Sequence, residues 1–175
     1  MPIALDVCYG DTKVRAALVG FDQAVDAVPR FELCQEFEGA APDYEPGNFK
    51  KRELPYLEAL VRAAQARGSA LGAILIDCYV WLGPEHPGLG AHLYEAFDRR
   101  CPVIGVAKTK FSGAPAVEVL RGHSKNPLYV TAIGVSVEEA QALVLSMHGE
   151  HRLPTLLRRV DQLSRGLVVA RAEPQ

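Results

Sequence analysis

Short, continuous runs of apolar residues recur along the chain and predict strands that are buried on both faces of a sheet. The first run is Ile3 to Cys8 and the second is Leu71 to Asp77, and the runs Pro102 to Ala107 and Leu128 to Ile133 follow. Apolar runs of about four to eight residues are typical of such strands. We therefore expect these four segments inside a sheet that is covered on both sides.

Two further strands are predicted near the start of the chain. A tight turn over Tyr9 to Asp11 leads into a strand from Lys13 to Phe21. Between Phe31 and Phe37, apolar residues alternate with glutamates, a pattern typical of a strand with one exposed face. Three strands joined by short turns predict an antiparallel meander.

Helical spacing of apolar residues separates the later strands. After a proline-containing loop from Gly39 to Gly47, four helices are expected: Phe49 to Arg67, Leu89 to Arg99, Val137 to Met147 and Pro154 to Leu163. A meander followed by alternating strands and helices predicts an α/β fold with a mixed sheet and helices on both faces. The length of 175 residues fits a single domain, residues 1–175.

Composition excludes some classes of protein. Hydrophobic residues make up 49% and charged residues 23%, which is ordinary for a folded α/β domain and argues against disorder. The apolar runs are shorter than the ~18 residues of a membrane helix, and the first residues do not resemble a signal peptide, so we expect a cytoplasmic protein. Four separated cysteines are interpreted as buried, reduced side chains, with zinc ligation as the alternative: Cys8, Cys34, Cys78 and Cys101.

Charge is unevenly distributed although the net charge is only −2. Residues 22–45 are acidic, with Arg30 as the only cation, whereas basic residues cluster later. The later clusters include Lys50 to Arg52, Arg99 and Arg100, Lys108 and Lys110, Arg121 and Lys125, and Arg152, Arg158, Arg159 and Arg165. Each basic cluster taken alone is explained by a solvated face.

Two short apolar stretches each end on an aspartate: Pro2 to Asp6 and Ala73 to Asp77. The ends of strands in an open α/β sheet usually present the functional site, so these carboxylates converge if the two strands are neighbours. Two carboxylates at close range repel each other unless a proton or a hard cation such as Mg²⁺ lies between them.

Three more residues are candidates for the same site. Glu53 lies near the start of the long helix and Asp161 lies in the last helix, whereas Lys108 directly follows a buried strand. Four acids would supply oxygen ligands for one or two Mg²⁺ ions, and a lysine at a strand end is well placed to bind a phosphate. Each residue also has a purely structural alternative. Glu53 would be favoured at a helix start by the helix dipole, and Asp161 would be a surface residue paired with arginines. Lys108 would neutralise Asp77.

Five segments in order resemble the endonuclease V family, metal-dependent enzymes that act on deaminated purines. They are Leu5 to Tyr9, Tyr44 to Gly47 leading to Arg52 to Leu54, Ile76 and Asp77, Pro102 to Lys108, and His151 to Pro154. The resemblance covers nearly the whole chain and implies a ribonuclease H-like fold. It implies that Asp6 and Asp77 are metal ligands, Glu53 a third catalytic acid, Asp161 a fourth acidic position and Lys108 a phosphate contact.

The resemblance also implies a substrate and a reaction. Family members hydrolyse the second phosphodiester bond 3′ to inosine, and leave 3′-hydroxyl and 5′-phosphate ends, with Mg²⁺ as the cofactor and Mn²⁺ able to replace it. By the same match, Tyr44 and Pro46 belong to a wedge that parts the strands, and Gly47 and Phe49 line a pocket for a flipped base. DNA or RNA with a deaminated base is the expected partner, in a DNA-repair role, and we expect a monomer.

Several residues depart from the family pattern. The wedge carries two carboxylates, Asp43 and Glu45, which are unfavourable next to a phosphate backbone. Cys78 stands where the family has glycine, and Gly83 takes the place of a family histidine unless a local shift makes His86 equivalent. The leading hypothesis is thus an endonuclease V-type nuclease with altered substrate choice. The alternatives are a nucleic-acid-binding relative without lesion cleavage and another metal-dependent phosphodiesterase on the same fold.

Overall fold

A mixed sheet forms the centre of the structure, a computed structural model that describes residues 1–39, 49–68 and 70–171. Within these ranges the strands are β1 (Ile3–Tyr9), β2 (Lys13–Gly20), β3 (Phe31–Glu38), β4 (Ile74–Ile76), β5 (Trp81–Gly83), β6 (His86–Pro87), β7 (Val103–Ala107), β8 (Val117–Val119) and β9 (Leu128–Ile133). The helices are α1 (Phe49–Ala66), α2 (Leu89–Ala96), α3 (Val137–Ser146) and α4 (Thr155–Ser164).

The strand order in the described part of the chain is β3-β2-β1-β4-β7-β9-β8, and β5 and β6 form a separate hairpin. Strand β4 lies between β1 and β7 and is parallel to both, whereas the other neighbours in the large sheet are antiparallel. The predicted antiparallel meander of β1, β2 and β3 is confirmed. Because β1, β4 and β7 run in the same direction, their carboxyl ends meet at one edge of the sheet.

Helices cover both faces of the sheet, as the sequence predicts. Apolar side chains of α1 and α2, including Leu57, Leu60 and Leu93, pack with Ile3 and Leu5 of β1 in one buried cluster. Helices α3 and α4 contribute to a second buried cluster, with Val144, Leu156, Val160 and Leu163 around Ala4 and Ile104. The alternation of β1 side chains between the two clusters reflects the two-residue period of a strand.

A buried ion pair fixes α4 against the sheet. Glu32 on β3 accepts hydrogen bonds from Arg159 Nε at 2.7 Å and Nη2 at 2.9 Å, and its side chain is only 1% exposed. The backbone N–H of Arg171 also donates to Glu32, at 2.7 Å. The segment that follows α4 is therefore tied to the same carboxylate.

The structure corrects some details of the sequence prediction. The strand expected from Leu71 to Asp77 is limited to Ile74–Ile76, because Gly72 instead donates a backbone hydrogen bond to Met1. The short strands β5, β6 and β8 were not predicted. The interpretation of every cysteine as buried is wrong, since Cys34 on the edge strand β3 is exposed.

None of the helices in the described ranges is both long and apolar enough to cross a bilayer. The loop predicted from Gly39 to Gly47 falls almost entirely on residues 40–48, which lie outside the described residues.

Candidate active site

Asp6 and Asp77 lie side by side at the edge where the parallel strands end. Leu5 on β1 is in register with Ile76 on β4, so the next residue of each strand is an aspartate. The condition for convergence of the two carboxylates, that their strands are neighbours, is therefore met. Asp6 is half-buried, and about a third of the Asp77 side chain is exposed.

Lys108 brings a positive charge between two of the acids. It directly follows β7, and its Nζ lies 2.6 Å from Asp77 Oδ2 and 3.0 Å from Asp161 Oδ1. Burial lowers the pKa of Lys108, but the contacts with the two carboxylates outweigh burial, so its pKa is raised above the ordinary value. The ammonium group therefore stays charged at neutral pH.

Helix α4 supplies Asp161 from the other side of the cleft. The second carboxylate oxygen of Asp161 lies 3.2 Å from Arg165 Nε, one helical turn further along α4. Positive and negative groups thus alternate in the order Asp77, Lys108, Asp161, Arg165. Asp77, Asp161 and Lys108, which the sequence placed in one site, are brought together here.

Ser164 is a partner of Asp6 that sequence reasoning missed. It is 1% exposed on α4, and its hydroxyl contacts Asp6 Oδ2 and also lies 2.9 Å from the backbone oxygen of Asp161. The available signal was its position on the apolar face of the last helix, where a buried hydroxyl needs a partner. Ser164 therefore connects α4 directly to the first strand.

The carboxyl group of Asp6 has a strongly raised pKa. Burial is the largest cause, and the nearby charges of Asp77 and Asp161 add to it, whereas Ser164 and Lys108 oppose the shift. The result is a pKa of about 6, compared with the ordinary value of 3.8. Asp6 is thus an acid whose ionised form is unfavourable unless additional positive charge is near.

Glu53 approaches the site from α1, where it lies in the second helical turn. Its charge acts on the enclosed thiol of Cys78, the residue after Asp77. Burial, Glu53 and Asp77 together raise the pKa of this thiol well above its ordinary value. Glu53 therefore belongs to the same electrostatic neighbourhood as Asp77, and the Cys78 thiol is protonated there.

A small cleft that is partly open to solvent lies between α4 and the strand ends. Asp6, Asp77, Lys108 and Asp161 form its polar part, and the apolar part includes Leu153, Leu157 and Val160. An apolar wall beside clustered charges reduces the local screening by water and strengthens electrostatic interactions with a bound ligand.

Arg152 supports the backbone at Lys108. Its Nη2 group donates to the carbonyl oxygen of Lys108 and, at 2.7 Å, to that of Pro127, which precedes β9. The loop before Arg152 is held by buried Arg121, which donates to the carbonyl oxygens of Met147, Gly149 and His151. Arg152 belongs to the segment His151 to Pro154 that resembles the family, but its support of Lys108 is seen only in the structure.

Gly105 on β7 leaves space for the segment after Asp77 to cross over the sheet. A Cβ atom at this position would lie 2.3 Å from the Cys78 carbonyl oxygen and 2.7 Å from Thr131 Oγ1. The crossing segment is fixed by a 2.9 Å hydrogen bond from Val80 N–H to Thr131 Oγ1. The close packing at Gly105 therefore determines where the residues after Asp77 lie.

Among the remaining predicted site residues, only His86 is fully described, and it does not line this cleft. His86 is exposed on the β5–β6 hairpin and pairs with Gly83, the position that takes the place of the family histidine. Tyr44, Pro46 and Gly47, like Asp43 and Glu45, lie outside the described residues, and so does the side chain of Phe49. Their assignments stay predictions.

The donor chemistry of the site fits a hard divalent cation, since Mg²⁺ prefers carboxylate oxygens. A cation would also offset the unfavourable ionisation of Asp6. Within the described residues, however, no three His, Cys, Asp or Glu side chains are already arranged around one point as metal ligands. Lys108 is instead the positive charge shared by Asp77 and Asp161. The assignment of Asp6, Asp77, Glu53 and Asp161 as metal ligands stays a prediction.

Fold and site together define an α/β protein with clustered acids and a lysine at the carboxyl ends of parallel strands. No protein-family model matches the chain. The curated endonuclease V of Rhodospirillum centenum is 32% identical over 173 residues, covering 86% of this chain and 69% of that protein. The chain therefore belongs to the endonuclease V family of nucleases.

Solved structures agree with this assignment. The endonuclease V of Streptomyces avermitilis superposes with a TM-score of 0.71 at 29% identity, over 94% of this chain and 79% of that chain. Ciona intestinalis endonuclease V, in complex with DNA containing an inosine followed by a ribo-adenosine, gives a TM-score of 0.78 at 16% identity, over 95% of this chain and 84% of that chain. The latter likeness concerns the fold alone. The expected fold class is confirmed.

Proposed function

We propose that this chain is a Mg²⁺-dependent endonuclease that hydrolyses a phosphodiester bond on the 3′ side of a deaminated purine. The observation that carries the proposal is the convergence of Asp6, Asp77, Asp161 and Lys108 in one cleft. Clustered carboxylates provide ligands for divalent cations, and a lysine among them can bind a phosphate oxygen. Membership in a nuclease family gives this arrangement a reaction class.

Nucleic acid that contains inosine is the proposed substrate. This part of the proposal is supported by the Ciona relative, whose structure contains DNA with an inosine. Both DNA and RNA are included, because the cluster acts on the phosphate and not on the sugar.

Asp6 and Asp77 would hold the cation, with Glu53 and Asp161 as further oxygen donors. When bound, Mg²⁺ supplies Lewis-acid activation of the attacking water and stabilises charge on the leaving oxygen. Ser164 would keep the Asp6 carboxylate oriented toward the cleft, and α4 would keep Asp161 opposite the two strand ends.

Lys108 and Glu53 have separate proposed roles. The Lys108 ammonium would bind a non-bridging oxygen of the scissile phosphate, a role that fits its permanent charge and its one-third exposed side chain. Arg152 would fix the backbone from which that side chain extends. Glu53 would orient the attacking water and accept its proton.

The residues that differ from the family pattern affect the proposed choice of substrate. The Cys78 side chain stands where family members have glycine, and its thiol lies within the electrostatic reach of Glu53 and Asp77. A side chain at this position narrows the space next to the strand end. We therefore expect the preference for inosine over undamaged purines to differ from that of a relative with glycine.

A cleavage panel tests the substrate. Inosine-containing single-stranded and double-stranded DNA and RNA are incubated with the protein and Mg²⁺, beside undamaged strands of the same sequence. The proposal predicts one cut on the 3′ side of the inosine, with 3′-hydroxyl and 5′-phosphate ends. Equal cutting of damaged and undamaged strands would leave a nuclease without base specificity, and binding without cutting would support the nucleic-acid-binding alternative.

Calorimetric titration tests the cofactor separately from activity. Mg²⁺ and Mn²⁺ are titrated into the parent and into Asp77→Asn, which removes one negative ligand and keeps the side-chain shape. A matched control is Asp98→Asn, which removes the same charge from an exposed residue just after α2. We expect cation binding to weaken only in Asp77→Asn. Absence of binding in the parent would refute the metal-dependent mechanism.

A further inference from the structure

Two exposed arginines lie along α4 next to the cleft. Arg158 and Arg165 are seven residues apart, which places them about 20° apart around the helix and about 10.5 Å apart along its axis. Asp161 lies between them in sequence and faces Lys108. The solvent-exposed side of α4 therefore carries one guanidinium group toward each end of the helix, with Asp161 between them in sequence.

The side-chain partners of these arginines distinguish them from their neighbours. Arg159 turns inward to Glu32, whereas Arg158 is exposed and has no carboxylate partner among the described residues. Arg165 contacts Asp161, but its side chain remains 56% exposed and Asp161 is shared with Lys108. Both guanidinium groups thus retain donors for a ligand.

The basic residues of β2, which lie close to the end of α4, are different. Lys13 and Arg15 on β2 are both paired with Glu36 on β3, and Lys13 also contacts Glu38. Their positive charge is neutralised within the meander. By contrast, Arg158 keeps an exposed guanidinium group with no carboxylate partner among the described residues, so α4 offers an anionic polymer a positive contact beside the cleft.

We propose that Arg158 and Arg165 bind backbone phosphates on the two sides of the scissile bond, so that the nucleic acid strand lies along the outer side of α4. This inference rests on the proposed function and specifies how the substrate is bound. Along the axis of a duplex, the separation of about 10.5 Å corresponds to about three steps of rise, at 3.4 Å per phosphate of one strand. Guanidinium groups suit this role because they donate two parallel hydrogen bonds to phosphate oxygens.

Salt-dependent binding measures the number of phosphate contacts directly. A fluorescein-labelled single-stranded DNA with one deoxyinosine is titrated with protein in EDTA, which prevents cleavage, and anisotropy is recorded between about 50 and 200 mM NaCl. Each lost phosphate contact makes the slope of log affinity against log salt shallower by about 0.7 for a single strand. We expect this change for Arg158→Gln and about twice this change for the variant that also carries Arg165→Gln.

Two controls separate specific contacts from net charge. Arg100→Gln removes an exposed charge just before β7, at the opposite end of the sheet from the cleft, and should leave the slope unchanged. Lysine at positions 158 and 165 keeps the charge and should retain most of the slope. Because the Arg158 side chain has no partner in the described part of the chain, Arg158→Gln tests the idea even if changes at Arg165 disturb the fold.

The outcomes discriminate between this inference and the proposed function. A parent-like slope in the double variant, or an equal decrease in Arg100→Gln, would overturn the placement of the strand while the parent still binds and cuts. Failure of the parent to bind the strand in EDTA at any salt concentration would overturn this inference alone if the parent still cuts the strand with Mg²⁺, and the proposed function as well if it does not cut.

Discussion

Replacing Asp6 by asparagine should stabilise the metal-free protein near neutral pH. The pKa of Asp6 is raised to about 6 by burial and by the charges of Asp77 and Asp161, so its ionised form is unfavourable in the folded state. Asparagine has a similar shape, carries no charge and can still accept a hydrogen bond from Ser164. The substitution thus removes the electrostatic cost and keeps the contact.

The pKa shift sets the size of the effect. A change from 3.8 to about 6 corresponds to about 3 kcal/mol, and because Asp6 is half-buried we expect a gain of about 1–3 kcal/mol. Since the folded state holds the proton more tightly, the contribution of Asp6 to stability is fully present below about pH 4. It is lost as pH rises to about 6 and stays lost above that.

Urea unfolding in EDTA, followed by circular dichroism, measures this difference. The free energy of unfolding of Asp6→Asn minus that of the parent should rise by up to about 1.4 kcal/mol per pH unit between about pH 4 and 6, and then remain constant. Taking the difference removes the contributions of other titrating groups. A difference independent of pH, or an Asp6→Asn protein less stable than the parent at pH 7.5, would refute the reasoning.

Three further substitutions test how the site is supported, each by urea unfolding. Glu32→Gln leaves Arg159 largely buried without its counter-charge and should cost about 3 kcal/mol of stability at neutral pH. Because Arg159 lowers the pKa of Glu32 despite burial, this cost should shrink as pH falls below about 4. A cost below about 1 kcal/mol would contradict a stabilising ion pair. Gly105→Ala should destabilise by about 1–3 kcal/mol, because its Cβ has no space; parent-like stability would contradict the close crossing. Ser164→Ala should cost about 1 kcal/mol and raise the pKa of Asp6 in a carboxyl NMR titration, and an unchanged pKa would show that the hydroxyl does not act on Asp6.

Much of the site could be predicted because it depends on strand direction. The apolar runs before Asp6 and Asp77 identify central strands, and parallel neighbours bring the residues at their ends together without further information. Lys108 follows the same logic on β7. Asp161 is a candidate from its residue type, and the resemblance to a known family supports it, although its helix packs across the sheet at a long sequence separation.

Other features could not be predicted because they depend on contacts between distant segments. The role of Ser164 requires the register of α4 against β1, and the role of Arg152 requires the position of a loop relative to the end of β7. The strands β5, β6 and β8 are only two or three residues long, which is too short for a periodic pattern. The exposure of Cys34 follows from its place on an edge strand, which strand order alone reveals.

Single-turnover cleavage of an inosine-containing strand tests the central claim most directly. The rate is measured with Mg²⁺ for the parent, for Asp77→Asn and for the charge-matched control Asp98→Asn. If the acids at the strand ends carry phosphodiester hydrolysis, the parent and the control cut at the same rate and Asp77→Asn is slower by at least about 100-fold. An Asp77→Asn protein that cuts as fast as the parent, or a parent that cuts no strand with Mg²⁺ present, would contradict the account.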